Sequence, residues 1–201
     1  MIYWFELIGT AVFAISGALA ASRKNMDIFG FAVLALMPAV GGGTVRDVLI
    51  DRHPIFWIDD TNYVYVAVAA AVATFFAAHV IRSRLRMLIW MDAIGLALFA
   101  VLGSQIAIDH GTSVPVAAIM GMVTGVVGGM IRDLICSEVP LILSREIYAT
   151  AAFVAAAVFL TASGAGLSDT WSIPLGILAG LGIRAAGIVN GLSLPVYRQR
   201  D

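Results

Sequence analysis

Charged residues are scarce in this sequence of 201 residues: Asp, Glu, Lys and Arg together make up only 12% of it, while 61% is hydrophobic. The mean hydropathy of +0.96 is far above the balance that a soluble domain needs to keep a polar surface. Cysteine is almost absent as well, and the single Cys136 excludes an internal disulfide. The sequence therefore predicts a protein that is surrounded mainly by lipid.

Patterns typical of enzymes and of nucleic-acid-binding proteins are also lacking. There is no HExxH sequence, no Cys/His cluster and no phosphate-binding loop, and no Ser and His are placed as a nucleophile and its base. The formal net charge is -1, and the one basic cluster, Arg82, Arg84 and Arg86, is short. We therefore predict that the protein is not an enzyme, binds no nucleic acid and carries no cofactor or structural metal.

Long apolar segments stand in place of these features. A membrane-spanning helix needs about 20 predominantly apolar residues, so a few such segments account for nearly the whole chain. Tyr and Trp residues, Tyr63 among them, cluster at their ends like an interfacial aromatic belt. The sequence predicts one all-α integral membrane domain over residues 1–201 with seven transmembrane helices. The predicted spans are 3–21, 28–50, 62–81, 88–107, 114–135, 147–163 and 171–190.

The chain repeats itself after 86 residues. Without a gap, this shift aligns the first span with the fourth and the second with the fifth, and it matches 14 of the 50 positions from 5 to 54. The matched charges carry the argument, because Arg and Asp inside a membrane are too rare to coincide by chance. Three spans per copy reverse the second copy in the membrane, so the repeats are inverted. The predicted units are repeat one at about 3–81, repeat two at about 88–163 and helix seven at about 171–190.

Basic residues are distributed unevenly between the two sides of this topology. With the N-terminus outside, eight of the 12 Lys and Arg fall in cytoplasmic segments, three lie within spans, and only Arg52 lies in an outer loop. The positive-inside rule therefore predicts an outer N-terminus and a cytoplasmic C-terminus. The eight cytoplasmic residues are Arg23, Lys24, Arg82, Arg84, Arg86, Arg145, Arg198 and Arg200.

Helix-breaking residues occur at matching places in the second and fifth spans. In a helix interior Gly costs about 1 kcal/mol relative to Ala, and Pro about 3. We predict that these two helices are broken or kinked beside an internal polar cavity, where inverted-repeat proteins place their sites. The alternative is that small residues serve only close helix packing. The residues concerned are Pro38, Gly41, Gly42, Gly43 and Thr44 in the second span, and Thr124, Gly128 and Gly129 in the fifth.

Charged side chains within the spans are the other candidates. A charge at the bilayer centre costs at least about 2.5 kcal/mol, so Arg46 and Arg132 should point into the protein, one in each half of the membrane. Adjacent helix residues do not face each other, so we expect each Arg and each following Asp to pair with another helix, either for function or only to fix the helices. For Glu6 and Asp92, which lie near span ends, snorkelling to the membrane surface or helix capping is as good an explanation as a place in the cavity. Arg184 is either a counter-ion in the core or a residue of the cytoplasmic boundary.

The duplicated motif resembles that of a known family. The sequences GGGTVRD at 41–47 and GGMIRD at 128–133, on a seven-span inverted-repeat chain, are similar to those of the prokaryotic TRIC family, the trimeric intracellular cation channels. This resemblance covers nearly the whole chain. It implies a homotrimer in the lipid of a bacterial or archaeal inner (plasma) membrane. Each subunit would carry a pore for monovalent cations, chiefly potassium, between the kinked second and fifth helices. The implied pore residues are Gly41, Gly42, Gly43, Arg46, Asp47, Gly128, Gly129, Arg132 and Asp133.

Two functions compete at this point. The first is a passive cation channel in which backbone carbonyls and hydroxyls replace part of the ion's water shell. Asp47 and Asp133 would then partly neutralise the arginines, or the arginines would form part of a gate. The second is an alternating-access transporter of a small zwitterion such as glycine, with Arg46 or Arg132 binding its carboxylate. A structural scaffold would explain the small residues but not the duplicated charges.

Overall fold

Helices account for almost all of the computed structural model, which describes residues 2–144 and 146–193. Within this part of the chain there are eight α-helices and one short 3-10 turn, Leu141–Leu143. The helices are α1 (Ile2–Arg23), α2 (Ile28–Leu49), α3 (Phe56–Asp59), α4 (Asn62–Ala77), α5 (Arg84–Asp109), α6 (Val114–Ile135), α7 (Ala149–Gly164) and α8 (Asp169–Asn190). The predicted cytoplasmic residues Arg145, Arg198 and Arg200 lie outside the described residues.

Seven of these helices correspond to the predicted spans. Helices α1, α2, α5, α6 and α8 are long and apolar enough to cross a membrane, and α4 and α7 are apolar helices of 16 residues each. At about 1.5 Å per residue, α4 and α7 are about 24 Å long, which is shorter than a hydrocarbon core of about 30 Å. Each is the third helix of its repeat, so the shortening occurs at equivalent places. The chain is an all-α integral membrane protein with two inverted three-helix repeats and a seventh helix.

The ends of the helices follow local rules. Asp27 caps α2, since its carboxylate accepts a 2.8 Å hydrogen bond from the backbone N–H of Gly30. Pro115 lies in the first turn of α6, where a missing N–H leaves no helical bond unmade. Gly191 ends α8 in the left-handed conformation with φ 63°. The membrane-spanning segments are thus delimited by the residue types that begin and end helices in water-soluble proteins.

Two short elements, α3 and the 3-10 turn, were not predicted. They follow α2 and α6 and occupy equivalent places in the two repeats. Pro54 and Pro140, just before them, are 86 residues apart, but Phe56 and Leu141, which begin them, are 85 apart. The second repeat therefore lacks one residue here, and the third helices of the repeats align at a shift of 85.

The two repeats pack on each other through α1 with α5 and α2 with α6, while α8 packs on α5 and α7. Phe13 and Phe99, which are counterparts, stack with ring centroids 5.3 Å apart and planes 22° apart. Gly9 lies against the ring of Phe99, and Gly95 lies against the ring of Phe13. Each repeat thus supplies the contact that it receives, as a pseudo-twofold axis between inverted repeats requires.

The two ends of the helical bundle carry different charges. The N-terminal face holds the start of α1 and the ends of α2 and α5. The basic face holds the ends of α1 and α6 together with the described basic residues of the loops. On the basic face, Arg23 and Lys24 lie 3.3 and 3.2 Å from the carboxylate oxygens of Glu138. These ion pairs join the end of α1 in repeat one to the loop after α6 in repeat two.

Candidate functional site

Helices α2 and α6 cross at their glycines, and neither helix is interrupted there. Of the two predicted forms, broken or kinked, a break is therefore wrong, while a kink stays a prediction; close packing of the small residues is confirmed. A methyl group on Gly42 would lie 2.1 Å from the carbonyl oxygen of Thr124, and one on Gly128 would lie 2.4 Å from that of Pro38. The shift of 86 residues turns the first contact into the second. The helices meet backbone to backbone, and only glycine allows this approach from either side.

The glycines beside the crossing have separate neighbours. A methyl group on Gly41 would lie 2.8 Å from Cδ1 of Ile131, which also belongs to the contact between α2 and α6. A methyl group on Gly43 would lie 2.6 Å from the ring of Phe56 in α3. The glycine run of α2 therefore serves two contacts, one with α6 and one with the short helix that follows α2.

Pro38 makes the two helices chemically different at this level. Because proline has no N–H, the carbonyl of Leu34 lacks its usual helical donor. This carbonyl lies against Gly17 of α1, where a methyl group would be only 1.8 Å away. In α6, Thr124 stands at the place of Pro38, and its hydroxyl donates to the carbonyl of Met120 at 2.6 Å. The two repeats are equivalent in position here but offer different polar groups.

The first cluster of buried charges lies toward the N-terminal face, in the last turn of α2. Arg46 is 1% exposed, and its Nε donates to Oδ1 of Asp47 at 2.8 Å. The expectation that these neighbours do not pair is wrong, because the long Arg side chain folds back at the helix end. The other oxygen of Asp47 accepts the backbone N–H of Phe56 at 3.0 Å. The Phe56 ring centroid lies 5.6 Å from the guanidinium carbon of Arg46.

Glu6 lies at the same end of the protein but has a different partner. Its carboxylate accepts a 2.8 Å hydrogen bond from the hydroxyl of Tyr63. Tyr63 is 4% exposed, so its assignment to an interfacial belt is wrong. Thr44 is half-buried, and its hydroxyl accepts a 2.9 Å hydrogen bond from the indole of Trp57. The N-terminal end of the α2–α6 interface is therefore surrounded by polar groups from α1, α3 and α4.

The second cluster lies toward the basic face, in the last turn of α6. Nε of Arg132 donates to Oδ1 of Asp133 at 2.9 Å, and the other oxygen of Asp133 accepts the backbone N–H of Leu141 at 3.2 Å. Nη1 of Arg132 also donates to Oδ1 of Asp92 at 2.6 Å and to the hydroxyl of Ser16 at 2.5 Å. Pairing between helices is therefore confirmed for Arg132. Asp92 is fully buried and is its counter-ion rather than a helix cap.

A third buried arginine comes from α8. Arg184 is fully buried, and its Nη2 lies 2.7 Å from Glu146, whose side chain is 44% exposed. Nη1 of Arg184 donates to the carbonyl of Ile147 at 3.2 Å, and the guanidinium carbon lies 5.1 Å from the ring centroid of Tyr148. Arg184 is thus a buried residue with an acidic partner, and it ties α8 to the start of α7 near the basic face; its place at the membrane boundary stays a prediction.

Three residues of these clusters were missed as site residues. Tyr63 and Tyr148 are counterparts. The hydroxyl of Tyr148 lies against Gly129, since a methyl group on Gly129 would be 2.6 Å from it. The ungapped shift of 86 hides this match, because the tyrosines align only at 85. Ser16 is the third such residue. The equivalent position in repeat two is Leu102, so comparison of the repeats gives no signal for a polar residue there. No group of three or more His, Cys, Asp or Glu that could hold a metal occurs among residues 2–144 and 146–193.

These features define an inverted-repeat membrane protein with one buried Arg-Asp pair on each side of a glycine crossing. A family model described as Glycine transporter matches residues 3–79 and, a second time, residues 89–163, so the two matches begin 86 residues apart. The TRIC trimeric intracellular cation channel orthologue from Rhodobacter sphaeroides is 44% identical, with a TM-score of 0.92 over 95% of this chain and 98% of its own.

Two further relatives agree with these matches. A structure solved to explain conductance through TRIC cation channels is 34% identical, with a TM-score of 0.87 over 98% of this chain and 97% of its own. The UPF0126 inner membrane protein YadS of Escherichia coli is 41% identical over 207 residues, covering 98% of this chain and 96% of its own. The chain belongs to the prokaryotic TRIC family.

Proposed function

We propose that this protein is a cation channel whose pathway follows the interface between α2 and α6. The observation that carries the proposal is the placement of two buried Arg-Asp pairs on opposite sides of one glycine crossing, in a chain that is similar over nearly its whole length to TRIC cation channels. Intramembrane charges are costly and mark ion pathways in other membrane proteins. The proposed pathway residues are Gly41, Gly42, Gly43, Arg46, Asp47, Gly128, Gly129, Arg132 and Asp133.

The arginines do not make this pathway repel cations. In the second cluster, two carboxylates, Asp92 and Asp133, surround the single guanidinium of Arg132, which leaves a formal charge of minus one. In the first cluster, Arg46 is paired with Asp47 at 2.7 Å. Interactions between charges are strong where water is largely excluded, so a cation that approaches from the basic face meets a net negative site. This charge balance supports permeation of cations rather than anions.

The glycine crossing is the proposed point of closure. The backbones of α2 and α6 are in contact at Gly42 and Gly128, and this leaves no room for an ion between them. A small separation of the two helices would turn the carbonyls of Pro38 and Thr124 toward the gap. Carbonyl oxygens replace the water shell of potassium in other selectivity sites, so potassium is the proposed ion. A bend of α2 at Pro38, where one helical hydrogen bond is missing, is part of this proposal.

Orientation, location and assembly belong to the same proposal. The basic face carries Arg23, Lys24 and the arginines before and at the start of α5, and by the positive-inside rule it is cytoplasmic. The N-terminus would then be outside. The Escherichia coli relative is described as an inner membrane protein and the Rhodobacter sphaeroides orthologue as a trimeric channel. We propose the same membrane and a homotrimer for this chain.

Reconstitution separates this function from transport of a small zwitterion. Purified protein in planar bilayers should give stepped currents under a potassium chloride gradient, with a smaller permeability for sodium. Saturable uptake of labelled glycine into vesicles without stepped currents would instead show a carrier.

Substitution tests the pathway itself. Arg46→Gln and Arg132→Gln should change conductance or voltage dependence, whereas Arg82→Gln, an exposed arginine of the basic face, should not. Unaltered single-channel currents in both pathway variants would contradict the assignment.

A further inference from the structure

Equivalent positions on the two faces of the bundle hold oppositely charged residues, and the sign of the charge at each position is reversed between the faces. On the basic face, Arg23 at the end of α1 pairs with Glu138 in the loop after α6. The shift of 86 residues turns Arg23 into Asp109 at the end of α5, and Glu138 into Arg52 in the loop after α2. Opposite charges therefore occupy both pairs of equivalent positions, although the sign at every position is reversed.

Only the pair on the basic face is formed. On the N-terminal face, Arg52 lies 3.5 Å from Asp47, and Asp109 accepts a 2.8 Å hydrogen bond from Gln105 of its own helix. The helices show the same difference. Within the described residues α1 packs more closely on α6 than their counterparts, α5 and α2, pack on each other. The ion pair between the repeats is thus formed at the basic face and not at the N-terminal face, where the repeats are in contact through apolar residues such as Ile2, Phe5 and Ile50.

The buried clusters are asymmetric in the same direction. Arg132, near the basic face, is bound to Asp92 and across the repeats to Ser16. For its counterpart Arg46, the equivalent carboxylate is Glu6, and this carboxylate accepts from a tyrosine hydroxyl instead. Two polar connections between the repeats near the basic face, the Arg23–Glu138 ion pair and the hydrogen bond from Arg132 to Ser16, therefore lack a formed counterpart near the N-terminal face.

Arg52 is otherwise unexplained. It is the only Lys or Arg in the loops of the N-terminal face, where the positive-inside rule disfavours basic residues. Its side chain is one-third exposed, and its contact with Asp47 is long. A role as the partner of Asp109 accounts for its charge, its position and its reversed sign relative to Glu138.

We propose that these pairs are alternating latches on the proposed pathway. The basic latch, Arg23 and Lys24 with Glu138, closes the basic face in the present structure. The N-terminal latch, Arg52 with Asp109, forms in a second state in which the basic latch is broken. The proposal rests on the proposed function only in naming what is closed, since the exchange of latches belongs to the fold. Because exposed ion pairs contribute little, removing one latch should shift the two states by about two- to fivefold.

Cysteine pairs can report both latches without any current. The background is Cys136→Ala, since Cys136 is the only cysteine. Arg52→Cys with Asp109→Cys is treated in native membranes with a short bifunctional thiol reagent. Adding Glu138→Gln should raise the cross-linking rate about two- to fivefold.

The matched control is Glu146→Gln, which removes another carboxylate near the basic face. Its partner Arg184 belongs to α8, so this pair does not join the repeats. Equal rates with the two glutamine substitutions, or no cross-linking in any background, would overturn the proposal. Exchange of cross-links in a protein that conducts no ions would instead leave the latches standing and remove the proposed function.

A second measurement places the cysteine pair on the basic face and keeps a charged residue at positions 52 and 109 of the N-terminal latch. In the same background, Arg23→Cys with Glu138→Cys reports closure of the basic face. Asp109→Arg places two positive charges in the N-terminal latch and should raise this cross-linking rate. Adding Arg52→Asp restores opposite charges and should return the rate to its starting value. Failure of the second substitution to reverse the first would show that the two residues do not meet.

Discussion

Replacement of Gly42 by alanine probes the crossing of α2 and α6 most directly. The new methyl group would lie 2.1 Å from the carbonyl oxygen of Thr124, while ordinary contact begins at 3.4 Å, so the helices must separate by about 1.3 Å. The obstacle is backbone and cannot rotate away, which places the cost at the upper end of overpacking, about 3 kcal/mol. Alanine returns about 1 kcal/mol of helix propensity. We therefore expect a net loss of about 2 kcal/mol.

Thermal unfolding in detergent measures this loss. For a chain of this length, about 1 kcal/mol corresponds to roughly 2–4 °C in Tm, so Gly42→Ala should lower Tm by about 4–8 °C. Gly128→Ala should behave in the same way, because its methyl group would lie 2.4 Å from the carbonyl oxygen of Pro38. Gly182→Ala in α8 is the matched control. No atom lies within 4 Å of its added methyl group, so Tm should stay constant or rise.

The comparison of these variants decides the point. If Gly42→Ala and Gly182→Ala unfold at the same temperature, the backbones are not in contact at the crossing and the proposed closure has no physical basis. If Gly42→Ala lowers Tm and also lengthens channel openings, the forced separation of α2 and α6 acts in the direction of conduction.

Two further predictions concern the charged groups. Asp92→Asn removes the counter-ion of a buried guanidinium, but Arg132 keeps its second carboxylate, so stability should fall by about 3 kcal/mol, at the lower end for a broken buried pair. The control is Asp109→Asn, at the exposed last residue of α5, which should leave Tm unchanged. Burial alone would raise the pKa of Glu138, but the hydrogen bond from Lys24 and the charge of Arg23 outweigh it and lower this pKa below the ordinary 4.5. The basic latch is therefore fully present above about pH 4.5 and is lost as the pH falls through the lowered pKa. Because the reactive thiolate also becomes scarcer at low pH, the cross-linking rate of the N-terminal cysteine pair is divided at each pH by its rate in the Glu138→Gln background, and this ratio should rise toward one over that range.

Much of the fold could be predicted because the membrane imposes simple rules. Span length, the repeat and its inversion follow from apolar runs, a constant shift and an odd number of crossings. The structural role of the individual glycines could not be predicted in this way. Gly42 and Gly128 lower helix propensity, but in lipid an interrupted helix leaves backbone groups without partners. Close contact between two intact helices avoids that cost, so packing prevails over propensity.

The candidate clusters could be predicted only in part, for a geometric reason. Arg46 and Arg132 were visible because buried charges are rare and were duplicated. Their partners were not, because pairing depends on how a long side chain folds at a helix end, as it does in Arg46, and on which helix lies opposite. Tyr63 and Tyr148 were hidden by one missing residue in a loop. A gapped comparison of the repeats would have aligned these tyrosines and marked them as part of the site.

The stacked pair of Phe13 and Phe99 has a consequence for the symmetry of the chain. Each ring rests on the glycine that its counterpart repeat provides, so the contact is self-complementary, like the isologous interface of a symmetric dimer. The same contact would form between two identical three-helix subunits inserted in opposite directions, so the fold has the symmetry of such a dimer. In one chain, the two halves can differ in sequence. Ser16 facing Leu102 and Pro38 facing Thr124 are differences that two identical subunits could never have acquired.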